Sequence, residues 1–425
     1  MNIFDQLLAD NQIPKFVRVR HEMDHSHIDD IEGAVAQAMR REGTLDRIKP
    51  GDSVCITAGS RDVANIARII RAICDQVKSV GAHPFIIPAM GSHAGAKAEG
   101  QRGIIEGYGV TEEAMGAPIR ASMDTEVIAH SKSGLEIHLD KFANAADFLI
   151  PVGRIKAHTD FRGEVESGIC KMLVIGMGKQ HGAYQCHKLG FKSMAANVKE
   201  FAGAIIEKKP NMFAIGLIEN AYHQTCRIEA IPAGRILAEE PPLLEYAKSR
   251  MAKVPFDQAD ILFVDETGKD ISGAGMDPNV TGRSPVLGIS RPFFQRIAVF
   301  DLTDKSHGNF GGLGSADVTT QRLYRKIDFE QTYPNGITAA EPLAVRLPAV
   351  MPSDRTAMQF ALRTATDCDW EKGPRIVWLK NTLSLSEFYI SEALIPDAEE
   401  LDNVTIVSEP MEVIFDEEGN VKELR

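Results

Sequence analysis

Residues 153–188, GRIKAHTDFRGEVESGICKMLVIGMGKQHGAYQCHK, concentrate His158, His181, His187 and Lys171 among several glycines. Imidazole titrates near neutrality and serves as base, acid or metal ligand. Lys171 is set among small and apolar neighbours in SGICKMLVIGMGK, which desolvates an ammonium and pushes it toward the nucleophilic amine. Each group alone also has a plainer reading, a lysine snorkelling from a helix or a histidine filling a loop. Two further turns carry reactive groups: AGSRD with Ser60 and Arg61, and MGSHAG with His93. Arginine offers a planar fork for a carboxylate or phosphate. Farther on, TGKDI places Lys269 on a glycine-containing loop. None of these turns is a GxGxxG or Walker loop, which speaks against a standard dinucleotide or ATP site. HEMDHSH, with His21, His25 and His27, reads as a solvated segment, and Asp265, Glu266 and Asp270 could ligate a hard cation that nothing else in the sequence demands.

The elements that must position these groups alternate strand and helix. AADFLIPVG reads as a buried strand ended by Pro151 and Gly153, so His158 is expected just past a strand end, where open α/β sheets bind ligands. GDSVCITAG, VANIARIIRAICDQVKSVG and HPFIIPA predict strand, amphipathic helix and strand, a right-handed crossover with parallel pairing. The AGSRD and MGSHAG turns then leave the same sheet edge, which predicts that Arg61 and His93 lie close in space. SMAANVKEFAGAIIEKKP predicts a helix and MFAIGLIEN a strand, EEPPLLEYAKSRMAKVPFDQ a connector that combines prolines with a short helix, and TYPNGITAAEP a run of turns. The expected fold class is α/β: two α/β domains with mainly parallel sheets, 1–254 and 255–400, with the active site in the cleft between them. Residues 401–425 are expected to form a tail able to return to the first domain.

At 425 residues the chain is too long for one ordinary core. Hydrophobic residues make up 44% and charged residues 25%, with no apolar run of membrane-spanning length, so a soluble, cytoplasmic protein is expected. Six cysteines without CxxC or zinc spacing read as buried thiols. A formal charge of -12 argues against nucleic acid and for a small-molecule substrate.

Taken together, the loops resemble the nickel-pincer nucleotide-dependent lactate racemase family over about residues 50–280. AGSR, ending at Arg61, is similar to the family's Asp-x-Thr-Arg turn, with Ala58 in place of the aspartate. GSHAG is similar to its Gly-Thr-His segment, and SGICK to its Ser-Gly-Gly-x-Lys. His187 follows Lys171 by sixteen positions, and GKDI resembles the family's second-domain lysine segment. The resemblance implies a nickel-pincer nucleotide, pyridinium-3,5-bisthiocarboxylic acid mononucleotide nickel. Lys171 would hold it covalently, Ser60 and Gly168 would line it, and His187 would ligate the metal, with His181 as a competitor. It implies His93 and His158 as the catalytic bases, and Arg61 and Lys269 as cations for the substrate carboxylate, Arg61 alternatively serving the cofactor phosphate. The implied activity is that of an isomerase, racemising or epimerising a 2-hydroxy acid. HTDFRGEVESGICK is about three residues longer than the family spacing and carries Glu164 and Glu166, which points to a substrate larger than lactate or a sugar acid. Schiff-base chemistry at Lys171, or non-catalytic binding of a nucleotide or sugar acid, are the alternatives.

Overall fold

The computed structural model describes residues 3–60, 63–284, 289, 291–339 and 341–425. Two compact units emerge, one of residues 24–251 and one that joins residues 1–23 to 252–425.

Within 24–251, Ser53–Ala58 is an apolar, β-branched run buried on both faces. Its parallel neighbours are His83–Pro88 on one side and Phe148–Ile150 on the other. The intervening helix Ile66–Ser79 buries Ile66, Ile69, Ile70, Ile73, Cys74 and Val77, the stripe expected of a helix lying on a sheet. Gly81, at φ +79°, turns the chain into the next strand. Past Pro151 the chain enters a second sheet, in which Val152–Arg154 pairs parallel with Phe213–Glu219 and the latter antiparallel with Thr225–Pro232. Alternate side chains feed two cores. Val54, Ile56 and Ile86 meet the helices Ile31–Arg40 and Ile66–Ser79, whereas Cys55, Phe85 and Ile87 meet Ile169, Leu173, Phe201 and Leu244. The second of these cores underlies the candidate site.

The other unit is built on an eight-stranded sheet. Ala349–Met351, Val318–Thr320, Phe293–Leu302, Gln258–Thr267 and Ile376–Leu379 are parallel, and Glu387–Ser391, Phe16–His21 and Val404–Ile406 follow antiparallel. Both units are therefore α/β with mainly parallel pairing, as the alternation of elements predicts.

Several expectations are corrected. An uninterrupted 1–254 domain does not describe the chain, because Phe16–His21 pairs on one edge with Glu387–Ser391 and on the other with Val404–Ile406. For the same reason 401–425 does not return to the first domain: Val404–Ile406 pairs with Phe16–His21, and Val413, Phe415, Val421 and Leu424 pack under Met351, Ala357 and Met358 of the same unit. Where a connector with a short helix is expected over residues 239–258, a longer helix, Ile236–Arg250, contains Pro241 and Pro242. Its buried Ile236, Glu240, Leu243, Leu244 and Ala247 form a continuous stripe, and that packing outweighs the proline signal. The turn-rich TYPNGITA is likewise inside a helix, Phe329–Ala339, where Phe329 and Tyr333 pack their rings on Phe310.

Candidate functional site

Lys171 closes a single helical turn, Ile169–Lys171, that runs into a π-helical turn, Met172–Gly176, and then into the helix Lys179–His187. Such π turns recur where a helix must present a side chain at an unusual angle. The start of this segment is capped from a distance. Cys170 N–H donates to Oε2 of the buried Glu240 over 2.8 Å. Burial raises the Glu240 pKa, opposed by the Cys170 thiol and the N–H groups of Cys170 and Ile169. Gly168 is required there, since a Cβ would stand 2.0 Å from Oε1 of Glu240. Gly153 is required on the facing strand, where a Cβ would come within 3.0 Å of the Gly168 carbonyl. Gly168 is thus accounted for by close packing with the Lys171 turn.

His158 lies beyond the strand Val152–Arg154, and its Nε2 is 2.6 Å from Lys171 Nζ. Asp160 N–H donates to its Nδ1 over 2.9 Å, and Phe161 stacks on the ring at 4.2 Å. Its own N–H donates to Glu166 Oε2 at 2.7 Å. Glu166 is fully buried, with Arg162 Nη1 3.3 Å from Oε2 and Lys248 Nζ 3.0 Å from Oε1. Glu164 pairs at the surface with Lys199. The two acids of the lengthened segment are therefore engaged with the protein itself, and the enlarged substrate they were expected to recognise loses its support. Burial, then the electrostatic influence of Lys171, His187, Arg162 and Lys156, holds the His158 pKa well below 6.5. The ring is neutral at physiological pH, in surroundings that favour an anionic ligand.

His187 ends the following helix. Its Nδ1–H donates to Ala183 O at 2.6 Å, which fixes the tautomer and leaves the Nε2 lone pair available, the arrangement typical of a metal-ligating imidazole. Burial lowers its pKa as well. His181, by contrast, is exposed and stacks on His138 at 5.6 Å. His187 shares an electrostatic environment with Lys171 and His158. Among the described residues no group of three or more His, Cys, Asp or Glu side chains could hold a metal ion. A metal here would need donors from a bound organic group, and an amine, a lone imidazole Nε2 and a positive lining fit a soft, anionic, metal-carrying cofactor.

The His93 loop is braced against the same helical segment. Gly91, Ala94, Gly95 and Ala96 all have positive φ, so the loop is tightly coiled. His93 Nδ1–H donates to Met90 O at 2.6 Å, leaving Nε2 as the basic atom. The buried Gln101 donates to Gly91 O (2.8 Å) and His93 O (3.3 Å). Lys179 is fully buried at φ +54°, pairs with Asp140 at 3.2 Å and donates to Pro88 O at the end of the strand leading into the loop. Gly176 allows the approach, since a Cβ there would lie 2.9 Å from Ala89 O. The AGSRD turn comes to this segment too: a Cβ on Gly59 would be 3.3 Å from Met172 Cε, and Ser60 O accepts from Tyr108 Oη at 3.0 Å. Arg61 lies outside the described residues. Lys269 belongs to the other unit, where its N–H donates to Ser306 Oγ (2.9 Å) and its Nζ donates to Gly273 O.

The lactate racemase N-terminal domain model matches residues 4–198, a span that holds His93, His158, Lys171 and His187. The match supports a place for this chain in the lactate racemase family. Among solved structures, the lactate racemase apoprotein of Thermoanaerobacterium thermosaccharolyticum is similar at 15% identity and a TM-score of 0.52. That alignment covers 86% of this chain and 94% of the other, and shows a common fold. A Streptomyces sp. SF2575 glycosyltransferase aligns at 9% identity over 74% of this chain and 94% of its own, with a TM-score of 0.18 too low to carry an argument. No curated protein matches. The sequence alone carries no sign of Glu240, Lys248, Gln101 or the Lys179–Asp140 pair as supports of the site. Glu240 and Lys248 act from the helix Ile236–Arg250 and the others from separate elements, and only Lys179, directly after the glycine-rich turn, stood in the segment singled out.

Proposed function

We propose that the protein is a racemase or epimerase of a 2-hydroxy acid that uses a nickel-pincer nucleotide attached to Lys171. The observation that carries this reading is the grouping of a lysine amine with two tautomer-fixed, neutral imidazoles, His158 and His187, within the segment matched by the family. When bound, the cofactor supplies a reversible acceptor for the hydride of the substrate's α carbon. The rest falls to the chain. Lys171 would anchor the group, His187 would offer Nε2 to the metal, and Gly59–Ser60 would line it, with Gly168 packing the turn that carries Lys171. Hydride departure requires loss of the hydroxyl proton, and an imidazole whose Nε2 is not protonated is a fitting base, worth about 10²–10⁴-fold. His93 has that form at Nε2, and His158 acquires it once Lys171 is tied up and the ring's proton is redistributed. One base serves each enantiomer. Arg61 and Lys269 are proposed as cations for the carboxylate or phosphate.

Lys171→Ala tests the reading. Protein made with the cofactor pathway present should carry a covalent adduct and nickel in the wild type, and neither in the variant. A variant with the same adduct mass would remove Lys171 from its role.

A further inference from the structure

The contact between His158 and Lys171 has a direction. A backbone N–H only donates, and that of Asp160 points at His158 Nδ1 from 2.9 Å, so the ring's lone pair is at Nδ1 and its proton, in the neutral form, is on Nε2. Nε2 lies 2.6 Å from Lys171 Nζ. An ammonium has no lone pair and cannot accept that proton, whereas an amine can. The ring is held in this pose by Phe161 on its face and by Glu166 on its backbone N–H.

We propose that His158 has a task before catalysis: it holds Lys171 as an uncharged amine, ready for covalent attachment of the cofactor. This rests on the reading of Lys171 as the anchor. The amine lone pair forms the C–N bond at the carbon of a thiocarboxylic acid, and the carbonyl oxygen leaves as water with one amine hydrogen and the thiol hydrogen, giving a thioamide. No oxidant or reductant is consumed.

The charged surroundings act in the same sense. Lys156 and Arg162 bear on the ring as positive charges and oppose a second proton on it. Asp160 Oδ2 lies 3.8 Å from Nδ1. Glu166 is engaged by the His158 N–H, Arg162 and Lys248. From the helix behind, Glu240 is engaged by Cys170 N–H, and from the helix Phe191–Lys208 Lys199 adds a further positive charge felt at Cys170.

The test is competitive acetylation of the full-length apoprotein with limiting acetic anhydride, reading Lys171 by peptide mass spectrometry against pH. At about pH 7.5 wild-type Lys171 should react at least about tenfold faster than in His158→Phe, and the two rates should converge above about pH 11, where any lysine is an amine. His158→Gln, which retains an N–H at similar reach, should recover most of the rate. Identical pH profiles for wild type and His158→Phe overturn the proposal. Should His158→Phe not fold, imidazole ¹⁵N spectra of the wild type decide: a protonated Nε2 and bare Nδ1 support it, and the reverse overturns it. An adduct on Lys171 together with a flat profile overturns this proposal and spares the anchor. The expected profile without an adduct does the opposite: it supports the amine assignment while the anchor reading falls.

Discussion

Glu166→Ala probes the device that orients His158. The carboxylate is fully buried and meets three donors: His158 N–H at 2.7 Å, Arg162 Nη1 at 3.3 Å and Lys248 Nζ at 3.0 Å. Truncation leaves the His158 amide unsatisfied, at a cost of about 1–3 kcal/mol. Breaking a fully buried ion pair costs about 3–5 kcal/mol, but the side chains of Arg162 and Lys248 are 33% and 28% exposed and can rehydrate, which reduces that part to about 1 kcal/mol. The expected loss is thus about 2–4 kcal/mol, confined to the 24–251 unit. Glu166→Gln keeps an oxygen for the His158 N–H and should lose about half as much. Both tryptophans, Trp370 and Trp378, belong to the other unit, so urea unfolding followed by tryptophan fluorescence should be unchanged. Hydrogen exchange of peptides from 24–251 should report the loss, greatest around residues 156–172. A cost below about 1 kcal/mol for the alanine variant, or equal costs for alanine and glutamine, would refute the reasoning.

Other outcomes follow from the same geometry. In protein loaded with cofactor, His187→Ala should lower nickel content while the adduct on Lys171 persists, and His181→Ala should leave both intact; equal nickel loss would contradict the assignment. Because His158 and His187 have pKa values below the ordinary 6.5, the folded 24–251 unit resists their protonation. Their contribution to stability is complete above that pH and is lost as pH falls below it, and His158→Gln should flatten the slope in denaturant titrations between about pH 6.5 and 5. Asp354 shows the opposite sign: burial raises its pKa to about 6, so the protonated folded form is favoured and its contribution is lost as pH rises through about 6. Asp354→Asn should reduce that slope in the fluorescence-detected transition, and an unchanged slope would rule the residue out as its source.

Much of the scaffold was legible because apolar period and turn residues agree there. VCIT, the Ile66–Ser79 stripe and Gly81 each specify one local structure, and parallel pairing follows from their order. The reactive residues were legible by type and spacing, since His158, Lys171 and His187 stand in one segment. Their supports were not. Glu240 lies 70 positions from the Cys170 N–H it caps, and the prolines of AEEPP hide how far the helix around them extends along its buried stripe. Glu166 looked like a substrate contact because an acid beside a histidine carries no sign, in sequence, of the two cations that engage it.

The placement of Phe16–His21 between Glu387–Ser391 and Val404–Ile406 has a consequence for biosynthesis. Arg20 is separated from its partner Glu387 by 367 positions, so at roughly 5–20 residues per second this strand waits about 20–70 s on the ribosome with both edges bare. Residues 24–251 emerge meanwhile and can close their own cores without the missing partners. The nascent chain therefore carries a finished site-bearing unit tethered to an adhesive, unpaired strand, the state in which a chaperone or an early cofactor-loading step would meet it.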